Sequence, residues 1–280
     1  VSAKKIIVAL VLLPFFIALI GWGKPWMLLV VALVLGAGLG GWESAKIAFG
    51  DNDRSFQYLS ILLSMVLCLA SSTGNEMNIV IALIGSFFVA FLLAGLVSAD
   101  LSQALPRTAK TMFVAVYPGL LMGYLVALKS YEPIANGCKL VMVLFALVWI
   151  NDAGAYFAGN FFGKRKLAPR ISPNKTWEGA IGGFSAAVIL GALIGMFSPF
   201  YNFQQGLILG VVLGVVGPLG DLVESAIKRG AGVKDSGTLL PGHGGILDRI
   251  DSVIACAPIL YYYTVLAHHA ELFRNLGVSP

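Results

Sequence analysis

The chain has 280 residues, of which 58% are hydrophobic and 12% charged, with a mean hydropathy of +0.86. Soluble globular domains carry about 25% charged residues, so the composition excludes a water-soluble fold. The net charge of +5, from 19 basic and 14 acidic residues, is spread through loops between apolar stretches, and no nucleic-acid partner is expected from it.

A stretch of about 17 to 25 apolar residues crosses a bilayer as a helix. The sequence predicts nine of them, over 6–22, 26–42, 56–71, 78–97, 111–128, 138–159, 179–197, 203–228 and 248–267, which makes an all-α polytopic integral membrane protein. Lys4 and Lys5 precede the first as they would a signal peptide, but no small-residue cleavage pattern follows, so the segment is expected to be retained. With loops on alternating sides, all basic residues except Lys24, Lys129, Lys139 and Arg274 fall on the side of the N-terminus. The positive-inside rule then puts the N-terminus in the cytoplasm and the C-terminus outside, in a cytoplasmic (inner) membrane. One span more or fewer would destroy this asymmetry.

The chain is expected to form one membrane domain, with 1–137 as helices of unassigned role and 138–280 as the catalytic helices and cytoplasmic loops. In the first part, Gly36, Gly38, Gly40 and Gly41 form a patch that lets helices approach closely. Asp51, Asp53 and Arg54 read as solvated loop residues, and this half offers no chemistry. Cys68, Cys138 and Cys256 lack metal or disulfide spacing and read as small core residues; His268 and His269 read as interfacial.

The character changes at Trp149-Ile-Asn-Asp-Ala-Gly, which sets Asn151 and Asp152 inside the sixth span. An ionisable group at the bilayer centre costs roughly 2.5–3.5 kcal/mol and so faces a cavity or a partner. Tyr156 and Asn160 continue the Asp152 face as a polar stripe; a helix–helix hydrogen bond is the plainer account. Next, Ser172-Pro-Asn-Lys-Thr-Trp-Glu-Gly precedes the seventh span. Ser172, Asn174, Lys175 and Thr176 at a helix N-terminus could together bind phosphate, although Thr176 could equally be an ordinary N-cap.

In the eighth span Gly206, Gly210, Gly214 and Gly217 form a stripe suited to packing, or to lining a lipid groove, and permit a homodimer. That face continues to Asp221, Ser225 and Lys228, with Glu224 beside them, and Pro218 marks a kink. A glycine-rich loop with Lys234, Asp235 and His243 leads to Asp248, Arg249 and Asp251 at the start of the ninth span. Carboxylates three apart share a helix face, so Asp221 and Glu224 can face Asp248 and Asp251. Four carboxylates at one depth repel unless cations sit among them. Mg²⁺ held against substrate phosphates is the simplest account, with Lys228, Arg229, Lys234 and Arg249 neutralising other phosphate oxygens. A salt-bridge network closing the bundle is the alternative.

The run Ser225, Lys228-Arg229, Lys234-Asp235, Gly237, Leu240-Pro241, His243-Gly244-Gly245, Asp248-Arg249 and Asp251 resembles the signature of the phosphatidate cytidylyltransferases. Ser172–Gly179 resembles another element of that family, whereas the N-terminal half matches in topology alone. The resemblance implies CTP and phosphatidate as substrates at a membrane-lipid surface, CDP-diacylglycerol and pyrophosphate as products, and Mg²⁺, with a second cation left open. Asp221 and Asp248 would hold the metal, with Asp251, Glu224 or Asp152 as further ligands. Lys175, Lys228, Arg229 and Lys234 would hold phosphates, with Ser225, Asp235 and Arg249 also near substrate. His243 would either contact a substrate or order the glycine loop. Two rivals are a CTP-dependent enzyme acting on an isoprenoid-ether lipid and an ion or solute transporter. The second would usually show inverted repeats, which are not seen here.

Overall fold

The computed structural model describes residues 24–50, 53–98, 100–131, 137–239 and 244–275, with side chains in the last helix described as far as His268. The described residues form eight helices long and apolar enough to cross a membrane. These are α1 (Pro25–Phe49), α2 (Arg54–Ser72), α3 (Glu76–Val97), α4 (Leu101–Lys129), α5 (Gly137–Phe162), α6 (Trp177–Phe197), α7 (Phe203–Gly230) and α8 (Leu247–Asn275). They coincide with the last eight expected spans, so the protein is an all-α polytopic membrane protein. The expected span at 6–22 lies outside the described residues. Three boundaries move: α1 runs seven residues beyond 42, to Phe49, α4 begins at Leu101 rather than 111, and α8 runs eight residues beyond 267, to Asn275.

The chain divides into two compact units. One holds the helices up to Ser130 together with the segment Gly230–Ile250; the other holds Tyr131–Arg229 and the chain from Asp251 onward.

In the first unit α1 starts with Pro25 at its first position, where the missing N–H costs nothing. Its middle, Ala32–Gly40, widens into π-type turns. The expected glycine patch lies there and does bring helices close. A side chain at Gly41 would sit 3.4 Å from Ser64 Oγ, and one at Gly40 would sit 3.6 Å from Pro118. Gly119 of α4 packs even closer, leaving 2.7 Å between a notional Cβ and the Ser64 Cα. Gly74, at φ 64°, ends α2, and Asn75 caps α3 by accepting from the N–H groups of Met77 and Asn78. α3 buries a single stripe of Ile79, Ser86, Ala90 and Ala94, and leaves Ile81, Phe88 and Leu92 exposed as a hydrocarbon-facing surface. Asp53 departs from the sequence expectation. It is not simply solvated, because its carboxylate is 2.8 Å from the Arg107 guanidinium, which also donates to Ser98 Oγ at 2.7 Å.

In the second unit α5 and α6 pack through small residues. A Cβ at Gly154 would come within 2.9 Å of the Ala186 Cβ, and one at Gly183 within 2.6 Å of the Asn151 carbonyl. The glycine stripe of α7 is used in the same way. A notional Cβ at Gly206 would come within 2.6 Å of the Gly195 Cα of α6, and one at Gly191 of α6 within 2.7 Å of the Gly210 Cα. The stripe is therefore a packing surface within this unit. Cys256 is buried and Cys138 half-buried here, and Cys68 is buried in the first unit, all as free thiols. His268 makes an edge-to-face ring contact with Tyr131.

The link between α5 and α6 differs from expectation. It is an antiparallel hairpin of β1 (Lys166–Ala168) and β2 (Ser172–Thr176), with Lys166 paired to Thr176 and Ala168 to Ser172. The segment expected at a helix N-terminus is thus strand from Ser172 to Thr176, and its last three residues, Trp177, Glu178 and Gly179, form the first turn of α6.

Candidate functional site

α7 runs on through Pro218, although proline has no N–H to offer the carbonyl of Gly214 one turn earlier. Asn151 fills that role: its Nδ2 donates to the Gly214 carbonyl at 2.9 Å, and the residue is buried. The helix–helix hydrogen bond considered for Asn151 is therefore present. Asp152, the next residue, is exposed. It lies within electrostatic range of Asp221, Asp251 and Lys175.

Asp221 stands one turn beyond Pro218 and both its carboxylate oxygens are engaged. Oδ2 is 2.7 Å from Lys175 Nζ and Oδ1 accepts from Ser225 Oγ at 3.2 Å. Lys175 lies on β2 and also reaches the Pro218 carbonyl at 3.5 Å. The hairpin thus delivers an ammonium group to Asp221. Arg229, in the last turn of α7, supports the same hairpin by donating from Nε to the Ile171 carbonyl at 3.3 Å. Ser172 and Asn174 lie on β2, half-buried and exposed respectively. Thr176 takes the plainer of its two expected roles, because its buried hydroxyl caps α6 by accepting from the Gly179 N–H at 3.1 Å.

Glu224 and Lys228 turn inward and form a buried ion pair of 2.7 Å, one helical turn apart. Much of the charge of each is therefore matched by the other. Asp251 lies within electrostatic range of Asp221 and Lys228 and within hydrogen-bonding reach of Glu224. In this unit, then, Asp152, Asp221, Glu224, Asp251, Lys175, Lys228 and Ser225 come together as one charged cluster.

The remaining expected residues belong to the other unit. Asp248, in the first turn of α8, accepts from the backbone N–H of Ser236 at 3.0 Å and of Gly245 at 2.8 Å. Lys234, Asp235 and Arg249 are exposed. His243 lies outside the described residues.

Among the described residues no three His, Cys, Asp or Glu side chains converge as a ready-made cage for a metal ion. Mg²⁺ does not require one: it binds through one or two carboxylates and keeps water or substrate phosphate as its other ligands. The hard oxygen donors around Asp221 fit that chemistry.

Glu43 was not expected. It is completely buried on α1, and its carboxylate accepts from Ser236 Oγ at 3.0 Å, the Ile246 N–H at 3.1 Å and the Leu247 N–H at 3.0 Å. The N-terminal half therefore supports the signature loop directly. The available signal was a lone acid near an apolar run, but a span ending at 42 left Glu43 in a loop.

Comparison with known proteins gives a consistent picture. The chain is 49% identical over 133 residues to a phosphatidate cytidylyltransferase of Haemophilus influenzae, covering 46% of each chain. It is 43% identical over 163 residues to one of Brucella abortus, covering 58% of this chain and 60% of the relative. With one of Bacillus subtilis it shares 42% identity over 153 residues, covering 54% and 56% respectively. It spans about half the length of the curated relatives it matches. The family model for cytidylyltransferases, however, matches residues 3–267, almost the whole sequence, and the chain belongs to that cytidylyltransferase family.

Proposed function

We propose that the protein transfers a cytidylyl group from CTP to phosphatidate. The lipid phosphate oxygen bonds to the α-phosphorus of CTP, the bond from that phosphorus to the bridging oxygen of the β-phosphate breaks, and pyrophosphate leaves with the electron pair. The products are CDP-diacylglycerol and pyrophosphate. The relatives named above carry this activity in their names. The observation that best supports the reading is the cluster around Asp221, where Asp152 and Asp251 lie within range and Lys175 is 2.7 Å away. Anionic and cationic groups packed together in a membrane-spanning unit suit a polyphosphate substrate and its counter-ion.

Each residue follows from its chemistry. Lys175 lies on a hairpin and not within a helix, so it can exchange the Asp221 carboxylate for a phosphate oxygen. Arg229 and the exposed Lys234 are further phosphate partners, and Ser172 and Asn174 offer polar groups on the same hairpin as Lys175. No general base is needed, because a phosphate monoester is already mostly ionised near neutral pH. Asp221, with Asp152 or Asp251, would hold Mg²⁺, which when bound supplies charge neutralisation for the triphosphate. Asp248 is a further candidate ligand. The loops rich in basic residues support a site on the cytoplasmic side of the cytoplasmic membrane, where CTP is dissolved and the lipid is at hand.

The test is a label transfer. Purified protein in detergent is given CTP labelled at the α-phosphorus, phosphatidate and Mg²⁺, and the lipids are extracted. Label in the organic phase that depends on phosphatidate supports the reading. Label that appears only with an isoprenoid-ether lipid phosphate moves the substrate, and no label with either lipid overturns the proposal.

A further inference from the structure

We infer that Glu43 is a positioning residue for the reaction, holding the signature loop in the shape that presents Asp248. The inference rests on the cytidylyltransferase reading of the site; its structural basis lies within one unit of the protein.

Two carboxylates share the loop between them. Asp248 accepts the backbone N–H groups of Ser236 and Gly245, while Glu43 accepts the Ser236 hydroxyl and the N–H groups of Ile246 and Leu247. Ser236 is the common member, giving its N–H to one acid and its O–H to the other. The start of α8 leaves its first N–H groups without helical partners. Glu43 satisfies two of them from a helix about 200 positions earlier in sequence. A fully buried carboxylate is costly unless donors surround it, and Glu43 is met by one hydroxyl and two backbone N–H groups.

The same contact accounts for two of the loop's glycines. A side chain at Gly245 would come within 2.7 Å of the Glu43 Cδ, and one at Gly237 within 2.8 Å. Neither glycine has positive φ among the described residues, so backbone conformation is not their reason. Close approach is: of Glu43 at both positions, and of the Ser236 hydroxyl as well at Gly245. The loop is therefore built around this acid, and the Asp248 carboxylate is aimed by a frame that Glu43 fastens to α1.

Glu43→Gln tests this with little change in shape. The amide keeps one acceptor oxygen but turns N–H groups toward donors, so at least one backbone bond is lost. Two readouts on the full-length protein in detergent decide the matter. The first is hydrogen–deuterium exchange without substrate: Ile246 and Leu247 amides should exchange faster in E43Q, with α2 and α3 unchanged. The second is steady-state label transfer: kcat should fall by on the order of 100-fold, as displacement of a site by about 1 Å can cause, while KM for CTP changes far less. Glu43→Asp, which retains the charge on a shorter arm, should recover part of kcat.

Unchanged exchange or unchanged kcat in E43Q overturns the inference, as does an equal loss in E43D and E43Q. If E43Q does not purify as folded protein, Ser236→Ala removes one Glu43 bond and should give the same changes at smaller size; no change there also overturns it. Failure of the wild-type protein to label lipid is a different result, overturning the proposed reaction while the exchange experiment still tests the anchoring.

Discussion

Asn151 donates to the carbonyl of Gly214 at 2.9 Å, supplying the hydrogen bond that Pro218 cannot give. A proline inside a helix normally strands that carbonyl, and a stranded buried carbonyl costs about 1–3 kcal/mol. Asn151→Leu should therefore lower stability by roughly that amount, read as an earlier thermal transition in detergent. If proline is the cause, the penalty should shrink when Pro218 is also replaced by alanine, because the α7 amide then returns to Gly214. Equal penalties in both backgrounds would separate the asparagine from the proline.

The ion pair of Lys175 and Asp221 leads to two variants with different kinetic signatures. Asp221→Asn keeps the hydrogen bond to Ser225 but removes the charge proposed to face Mg²⁺. Label transfer should fall by on the order of 100-fold or more, with a higher Mg²⁺ concentration needed for half-maximal rate. Lys175→Met removes a phosphate partner from the hairpin and should chiefly raise KM for CTP. Near-normal activity of Asp221→Asn with Mg²⁺ would remove Asp221 from the metal assignment.

Glu224 and Lys228 form the most deeply buried ion pair among the described residues, with side chains 2% and 10% exposed. Removing one partner of such a pair typically costs about 3–5 kcal/mol, because the other loses its closest counter-charge. Glu224→Gln or Lys228→Met should each destabilise strongly, whereas the Glu224→Met, Lys228→Met double variant should lose less than the two singles combined. Lys228 also belongs to the signature, so the double variant should fold better than the singles yet remain poor in label transfer. Full activity in the double variant would confine Lys228 to a structural role.

The last eight spans, the polar insertion at Asn151 and Asp152, and the acids of the last two helices were legible in the sequence because each opposes its surroundings. Apolar runs stand out by length, and charges within them stand out by cost. The hairpin at 166–176 was not legible: β1 has only three residues and β2 contains Pro173, so neither gives a periodic signal. Thr176 carried two meanings, and only its bond to Gly179 separates the cap from the ligand. The partnership of Asp53 with Arg107 spans 54 positions, beyond the reach of local pattern. Glu43 was hidden by a boundary, since an acid just past a span reads as solvated and an acid inside one does not.

That boundary has a consequence that mutation can reach. If Gly245 is small because Glu43 fills the space beside it, Gly245→Ala should be damaging in the native protein, since the new Cβ would stand 2.7 Å from the Glu43 Cδ. Overpacking of this kind costs about 1–3 kcal/mol, and here the loop rather than α1 should give way, taking Asp248 with it. Removing the obstacle reverses the argument. In a Glu43→Ala background the space is open toward α1, so adding Gly245→Ala should cost little beyond the first change. Thermal transitions of the two singles and the double close this cycle, and they should be clearly less than additive. The Ser236 hydroxyl also lies against Gly245, but it sits at the end of a rotatable side chain and can turn aside. Additive losses would mean that Gly245 answers to Ser236 or to the loop backbone, and that Glu43 sets neither the spacing nor the glycine.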